Sequence, residues 1–263
     1  MRAVPSGLAC VDGVLTPAAE ARIPVTDDGL VRGDGVFEVV RLYGGVAFAL
    51  DRHLARLAGS AEGLRLAYDA EAVREDVELL LAERADGDEL VRIMLTRGGR
   101  RVALLEPLPV IPESCSLGQV TYAPPRLLDG VKSLSYAANM LASRLARERD
   151  FDEALLVTPH GRVLECPTSS FFAVRDGAVM TPPLTEHILD SITRSLVIEI
   201  ADVSETPLTV TELGTIDEAF IASSVVEVLA VRRIEGRELA APGERTREIA
   251  VAVRERIGLL TTG

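Results

Sequence analysis

One lysine in 263 residues, Lys132 within Gly130–Tyr136 (GVKSLSY), is the side chain best suited to amine chemistry. Lysine and arginine together number 28, so 27 are arginine. A guanidinium stays protonated and forms no imine, whereas a desolvated lysine gives up its proton and becomes a nucleophile. The plainer reading is a chance lysine on a surface turn. Four further features have the chemistry to serve one cofactor with it. Arg56 stands off the apolar stripe of a helix, and its fork suits a phosphate. Ser191-Ile192-Thr193 opens another helix, where N–H groups and a hydroxyl offer an anion site. Ser223-Ser224 closes a strand and adds a hydroxyl. Glu165 lies between Leu164 and Cys166 in an apolar stretch, where a carboxylate is costly without a cationic partner. Lysine amine, carboxylate for a ring nitrogen and phosphate cup are the parts that a pyridoxal phosphate site needs. Singly, each has an ordinary alternative: a capped helix start, a solvated arginine, a structural ion pair.

The elements that must position these groups follow from periodicity and turn chemistry. LACVDGV (8–14) reads as a hairpin turning at Asp12-Gly13. The tetrad Arg32-Gly33-Asp34-Gly35 leads into VFEVVRLYGGVAFAL, two strands around Gly44-Gly45. Asp51 is expected to cap a helix whose stripe is Leu54, Leu57, Ala58, Ala61 and Leu64. A second helix spans roughly 70–85, followed by the strand LVRIMLT, the turn GGRR (98–101) and a shorter strand. Three prolines at 107, 109 and 112 mark a semi-rigid connector. Beyond it come the helix AANMLASRLARERD, the strand EALLV, a strand-like VLECPTSSFFAV, the helix around 189–202, the strand EAFIASS and a last helix, GERTREIAVAVRERIGLL. Interleaved strands and helices with many hairpins predict an α+β protein. The expected domains are 1–108, a linker at 109–118, and 119–263.

Composition excludes several classes. With 48% hydrophobic and 26% charged residues the chain is globular rather than disordered. A net charge of −12 disfavours nucleic acid and anionic membranes as partners. No apolar run approaches a membrane span, and Pro5, Gly7 and Asp12 interrupt any leader-like segment, so no signal peptide is expected. Cys10, Cys115 and Cys166, odd in number and widely spaced, predict free thiols and a cytoplasmic protein. His53, His160 and His187 are too scattered to suggest a metal site.

Order and spacing add a resemblance that covers nearly the whole chain. RGDGVFEVVRLYGG, the HLARL helix, VKSLSY, VLE followed by SFFAV, ILDSITR and IASSVVEV resemble, in sequence order, the class IV aminotransferases, the fold type IV pyridoxal phosphate enzymes. The resemblance implies a small α/β N-terminal domain and a larger, barrel-like mixed α+β domain that binds pyridoxal 5'-phosphate. Lys132 looks like the lysine that joins the cofactor and shuttles the substrate proton. Glu165 looks like the partner of the pyridine nitrogen. Arg56, the N–H groups of Ile192 and Thr193, the Thr193 hydroxyl and Ser224 look like the phosphate cup. Relatives are at least homodimers, with the active site near the subunit interface.

Within the family, RGDGVFEVVRLYGG through FALDRHLARL is most similar to D-amino-acid aminotransferases. Phe37, Val39 and Arg41 are then expected along the substrate side of one strand. D-specific relatives often carry tyrosine where Phe37 stands, so Arg100 or Arg101 on the GGRR turn is expected to anchor the substrate carboxylate. The implied reaction moves an amino group from a D-amino acid, or a primary (R)-amine, to a keto acid such as pyruvate or 2-oxoglutarate. The alternatives are aminodeoxychorismate lyase, which KSLSYAANM also resembles, and a branched-chain L-amino-acid aminotransferase.

Overall fold

The computed structural model describes residues 7–84 and 87–261. Residues 1–6, which hold Pro5 of the leader argument, and Ala85, at the expected end of the second helix, lie outside the described residues. The chain divides into two compact units, each built on its own sheet.

The first unit takes the chain to Pro109, together with Val131–Tyr136 and the residues from Leu259. It contains β1 (Leu8–Val11), β2 (Val14–Pro17), the short α1 (Asp28–Val31), β3 (Gly35–Tyr43) and β4 (Val46–Ala47). There follow α2 (Leu50–Gly63), α3 (Ala70–Ala82), β5 (Glu89–Thr96) and β6 (Arg101–Pro107). The strands form an antiparallel sheet in the order β2-β1-β6-β5-β3-β4. Strand alternation gives it two distinct faces. Val36, Val40 and Leu42 of β3 share one core with Val91, Ile93 and Leu95 of β5 and Ala103 and Leu105 of β6. Leu54, Leu57 and Ala61 of α2 and Val73, Val77 and Leu80 of α3 cover that face. The start of α2 differs from expectation. Ala49, in the left-handed region at φ 52°, occupies the N-cap position, and Asp51 is the second helical residue, within the first turn, where its charge favours the positive end of the helix.

The second unit comprises Val110–Gly130 and Ala137–Gly258. Its elements are β7 (Ser114–Thr121), α4 (Ala137–Arg147), β8 (Glu153–Val157), β9 (Ser170–Arg175), β10 (Ala178–Thr181) and α5 (Ile192–Ile200). They continue with β11 (Val203–Glu205), β12 (Glu218–Ser223), β13 (Glu227–Ile234), β14 (Arg237–Glu238) and, up to Gly258, α6 (Glu244–Thr261). The sheet is mixed, ordered β11-β10-β9-β12-β13-β7-β8, with β14 beside β13. Leu155 and Val157 of β8 enter its main core, while Ala154 and Leu156 pack with Ala142 and Ala146 of α4. Burial on both faces explains why EALLV reads as an unbroken apolar run.

Two expectations need correction. Residues 114–118, expected in the linker, begin β7, because the prolines end at 112 and the following residues join a parallel ladder with β13 and β8. Val131–Tyr136, expected in the second domain, belongs to the first unit, where it pairs with β3.

Candidate active site

Lys132 is held by backbone. The Phe37 N–H donates to its carbonyl oxygen at 3.0 Å, and the Leu134 N–H donates to Gly35 O at 2.8 Å. Lys132 N–H in turn donates to Ser60 Oγ of α2 at 3.1 Å. This close pairing is why glycines stand just before and at the start of β3. A Cβ on Gly35 would run into the Leu95 carbonyl and the Leu134 side chain, and Gly33, at φ +69°, lies against Ser135, whose hydroxyl donates to its carbonyl.

The Lys132 amine lies 4.5 Å from the centroid of the Phe37 ring and 5.8 Å from that of Tyr136. Those two rings meet edge to face at 5.2 Å. Phe37, Val39 and Arg41 share the side of β3 away from the α2 and α3 core. Arg41 is buried, with its guanidinium 4.6 Å from the centroid of the Tyr43 ring. Arg92, which sequence reasoning missed, stands opposite Val39 in the β3–β5 ladder and therefore shares its face. Its guanidinium lies 5.6 Å from the Phe37 centroid and bonds to Glu106 at 3.0 Å. The alternation of LVRIMLT carried the signal, but the register that brings Arg92 beside Phe37 is tertiary.

Arg100 and Arg101 lie elsewhere. Arg100 pairs with Asp12 at 2.6 Å. Arg101 shares the parity of Ala103 and Leu105, so it faces the helices and pairs with the buried Asp76 of α3 at 2.7 Å. Each is engaged in an ion pair, as Arg92 is with Glu106.

On the helix side of β3, a buried cluster lies within the same unit. Glu38 receives Arg56 Nε on one oxygen and Nη2 on the other, both at 2.7 Å, and His53 Nδ1 at 2.8 Å. Glu38 and His53 are fully buried, while the Arg56 side chain is 14% exposed. Burial pushes the Glu38 carboxyl up, but hydrogen bonds and charge from Arg56 and His53 outweigh it and hold it down to about 2. Burial likewise lowers the His53 pKa, against the pull of Glu38. Neither Glu38 nor His53 was anticipated. A carboxylate inside VFEVV and a histidine on the apolar side of HLARL were the available signals.

The depressed carboxyl makes stability depend on acid. The Glu38 contribution is complete above the ordinary value of 4.5 and is lost as pH falls toward about 2. Over that window, urea titrations should show the parent losing about 3 kcal/mol more than Glu38→Gln. Equal losses would mean that Glu38 is not ionised in the folded protein.

The other candidates lie in the second unit. Glu165 sits outside any regular strand, because Pro167 interrupts VLECPTSSFFAV and β9 starts only at Ser170. Its carbonyl still accepts from Leu156 N–H at 2.9 Å, and its Oε1 accepts from Leu189 N–H at 3.1 Å. The Tyr122 hydroxyl is pushed up by burial and by the charge of Glu165. The second of these bonds ties the carboxylate to the chain entering α5. There Ser191 is the N-cap, accepting from Arg194 N–H at 3.3 Å. That cap leaves the N–H groups of Ile192 and Thr193, the first two helical residues, at the positive end of the helix. Ser224 follows the last residue of β12.

Each unit carries groups whose chemistry fits pyridoxal phosphate: an amine and an arginine fork in the first, a carboxylate and a capped helix start suited to an anion in the second. A chain of two units, each on its own sheet and each with such groups, accords with the pyridoxal phosphate class. The chain belongs to the class IV aminotransferase family, whose model, described as amino-transferase class IV, matches residues 35–234. It is 34% identical to a putative branched-chain-amino-acid aminotransferase of Methanocaldococcus jannaschii, over 86% of this chain and 88% of the relative. It is 31% identical to a D-alanine aminotransferase of Listeria monocytogenes, over 88% of each. A hypothetical aminotransferase from Mycobacterium tuberculosis, solved in its PLP-bound form, superposes with a TM-score of 0.88 at 26% identity, covering 95% of this chain and 98% of that one. The protein is thus an aminotransferase of fold type IV that uses pyridoxal phosphate and acts on small amino and keto acids. Among the described residues, no helix is long and apolar enough to cross a membrane, and no cluster of His, Cys, Asp and Glu is arranged to hold a metal ion.

Proposed function

We propose that this aminotransferase takes D-amino acids as donors and passes the amino group to a keto acid such as pyruvate or 2-oxoglutarate, in two half-reactions. The observation that carries an amino acid donor is the surround of Phe37, where the Lys132 amine and the Arg92 guanidinium both lie against its ring, and the likeness to D-alanine aminotransferases supports the D series. An amino acid needs an amine for its reacting carbon and a cation for its carboxylate, and β3 and β5 offer both beside one aromatic wall. Arg92 thereby takes the anchoring role expected of Arg100 or Arg101.

In this reading Arg56, the N–H groups of Ile192 and Thr193, the Thr193 hydroxyl and Ser224 hold the cofactor phosphate, and Glu165 meets the ring nitrogen. Bound pyridoxal phosphate supplies the electron sink. Lys132 Nζ, once neutral, takes the proton from the amino-bearing carbon of the donor and returns it later in the half-reaction. Phe37 and Val39 form the apolar wall, and Arg41 stands farther along the same strand face. The donor leaves as a keto acid, and a second keto acid takes up the amino group by the reverse course.

A branched-chain L-amino-acid specificity is the second reading, favoured by the Methanocaldococcus relative. We also propose that the enzyme works as a homodimer. Leu141 and Leu145, one turn apart on α4, are 49% and 39% exposed and offer apolar surface to a second copy. The three cysteines, all free and buried, accord with a reducing cytoplasm.

The deciding experiment adds D-alanine, L-alanine or L-leucine separately to the holoenzyme and follows its visible absorption band. D-alanine alone is expected to bleach the band with release of pyruvate, and the same sample to sediment as a dimer of 28.2 kDa chains. Bleaching by L-leucine instead would establish the branched-chain reading. A band that survives all three would overturn both, and turnover of aminodeoxychorismate would then make the protein a lyase.

A further inference from the structure

We propose that Glu38, backed by His53, is a positioning residue for the cofactor phosphate: it grips one edge of the Arg56 fork and sets the direction from which the guanidinium meets an anion. The inference rests on the reading of Arg56 as a phosphate ligand.

Geometry carries the argument. Both Glu38 oxygens are used, one by Arg56 Nε and one by Arg56 Nη2 and His53 Nδ1. A two-point grip on a planar guanidinium fixes its plane as well as its position, which a single contact does not. The cluster occupies the side of β3 on which Val36, Val40 and Leu42 make an apolar core. Stability alone does not explain charges there, since well-packed apolar residues commonly replace a buried ion pair without loss. Orientation does: a long arginine side chain held in advance loses less freedom when it binds its ligand. The carboxyl, held down to about 2, also stays ionised through the neutral range, so the grip persists there. His53, donating to the oxygen that Arg56 Nη2 also uses, fixes the carboxylate from its other side.

The test compares the dissociation constants of pyridoxal phosphate and pyridoxal, which lacks the phosphate, for the apoprotein and its variants. Arg56→Gln should weaken pyridoxal phosphate and leave pyridoxal unchanged. Glu38→Gln should weaken pyridoxal phosphate by about 10- to 100-fold, the usual cost of losing the group that orients a ligating side chain, and pyridoxal by less than about threefold. In the Arg56→Gln background, Glu38→Gln should have no further effect. A merely structural role would weaken both ligands alike and overturns the proposal. If Glu38→Gln does not fold, His53→Gln serves, with an expected shift of about threefold to tenfold in the ratio of the two constants. No shift in that ratio, with Arg56→Gln still selective against the phosphate, defeats the role of Glu38 alone. An unselective Arg56→Gln defeats the phosphate reading itself.

Discussion

Lys132→Ala is expected to fold and to bind pyridoxal phosphate, yet to exchange amino groups at least about 10,000-fold more slowly than the parent. The magnitude follows from the loss of both proposed roles, as nucleophile toward the cofactor and as base at the reacting carbon. Retention of the fold follows from how the residue is held. Its N–H bonds to Ser60 and its carbonyl to Phe37, so the segment keeps its place without the side chain. No other lysine exists to substitute for it. Stopped-flow mixing with the preferred donor, with thermal unfolding as the control for folding, checks the result. A variant within tenfold of the parent rate would remove Lys132 from the mechanism.

The second large effect is selective. Arg92→Gln should lower kcat/KM for the amino acid donor by about 100-fold, the lower range for removing one partner of a desolvated charge pair. An amine of similar size without a carboxylate should change by less than about threefold. The fold should tolerate the change, because Glu106, the present partner, is 27% exposed and retains water. Equal loss on both substrates would mean that Arg92 supports the sheet. No loss on either would place the carboxylate elsewhere, with Arg41 the next residue to test.

What was legible beforehand, and what was not, divides along a physical line. The hairpin at Asp12-Gly13, α3, α6 and the alternation that puts Phe37, Val39 and Arg41 on one side of β3 depend on local turn chemistry and period, and the structure reproduces them. Lys132 and Glu165 stood out because their side chains are unusual where they occur. Arg92 is different, because its importance arises from standing opposite Val39, and register is set by ladders between distant segments. The ion pairs of Arg100 with Asp12 and of Arg101 with Asp76 are likewise tertiary, and the GGRR turn by itself does not reveal them. Glu38 and His53 form a case in between. Each breaks an apolar pattern visibly, but only their meeting with Arg56 shows why the break is tolerated. Pro167 was visible all along as a strand breaker, and it explains why the Glu165 segment is irregular.

The bond from Phe37 N–H to the Lys132 carbonyl has an implication for how such an enzyme diversifies. The residue proposed to shape the substrate wall is also the one whose backbone carries the reactive amine. Side-chain exchanges at 37 and 39 can recast the wall while the ladder keeps the amine in place, so new preferences can arise by point substitution at little cost in rate. Insertions or deletions between Gly33 and Phe37 displace wall and amine together and forfeit both. Within this stretch, variation in preference is therefore expected in residue type and not in length.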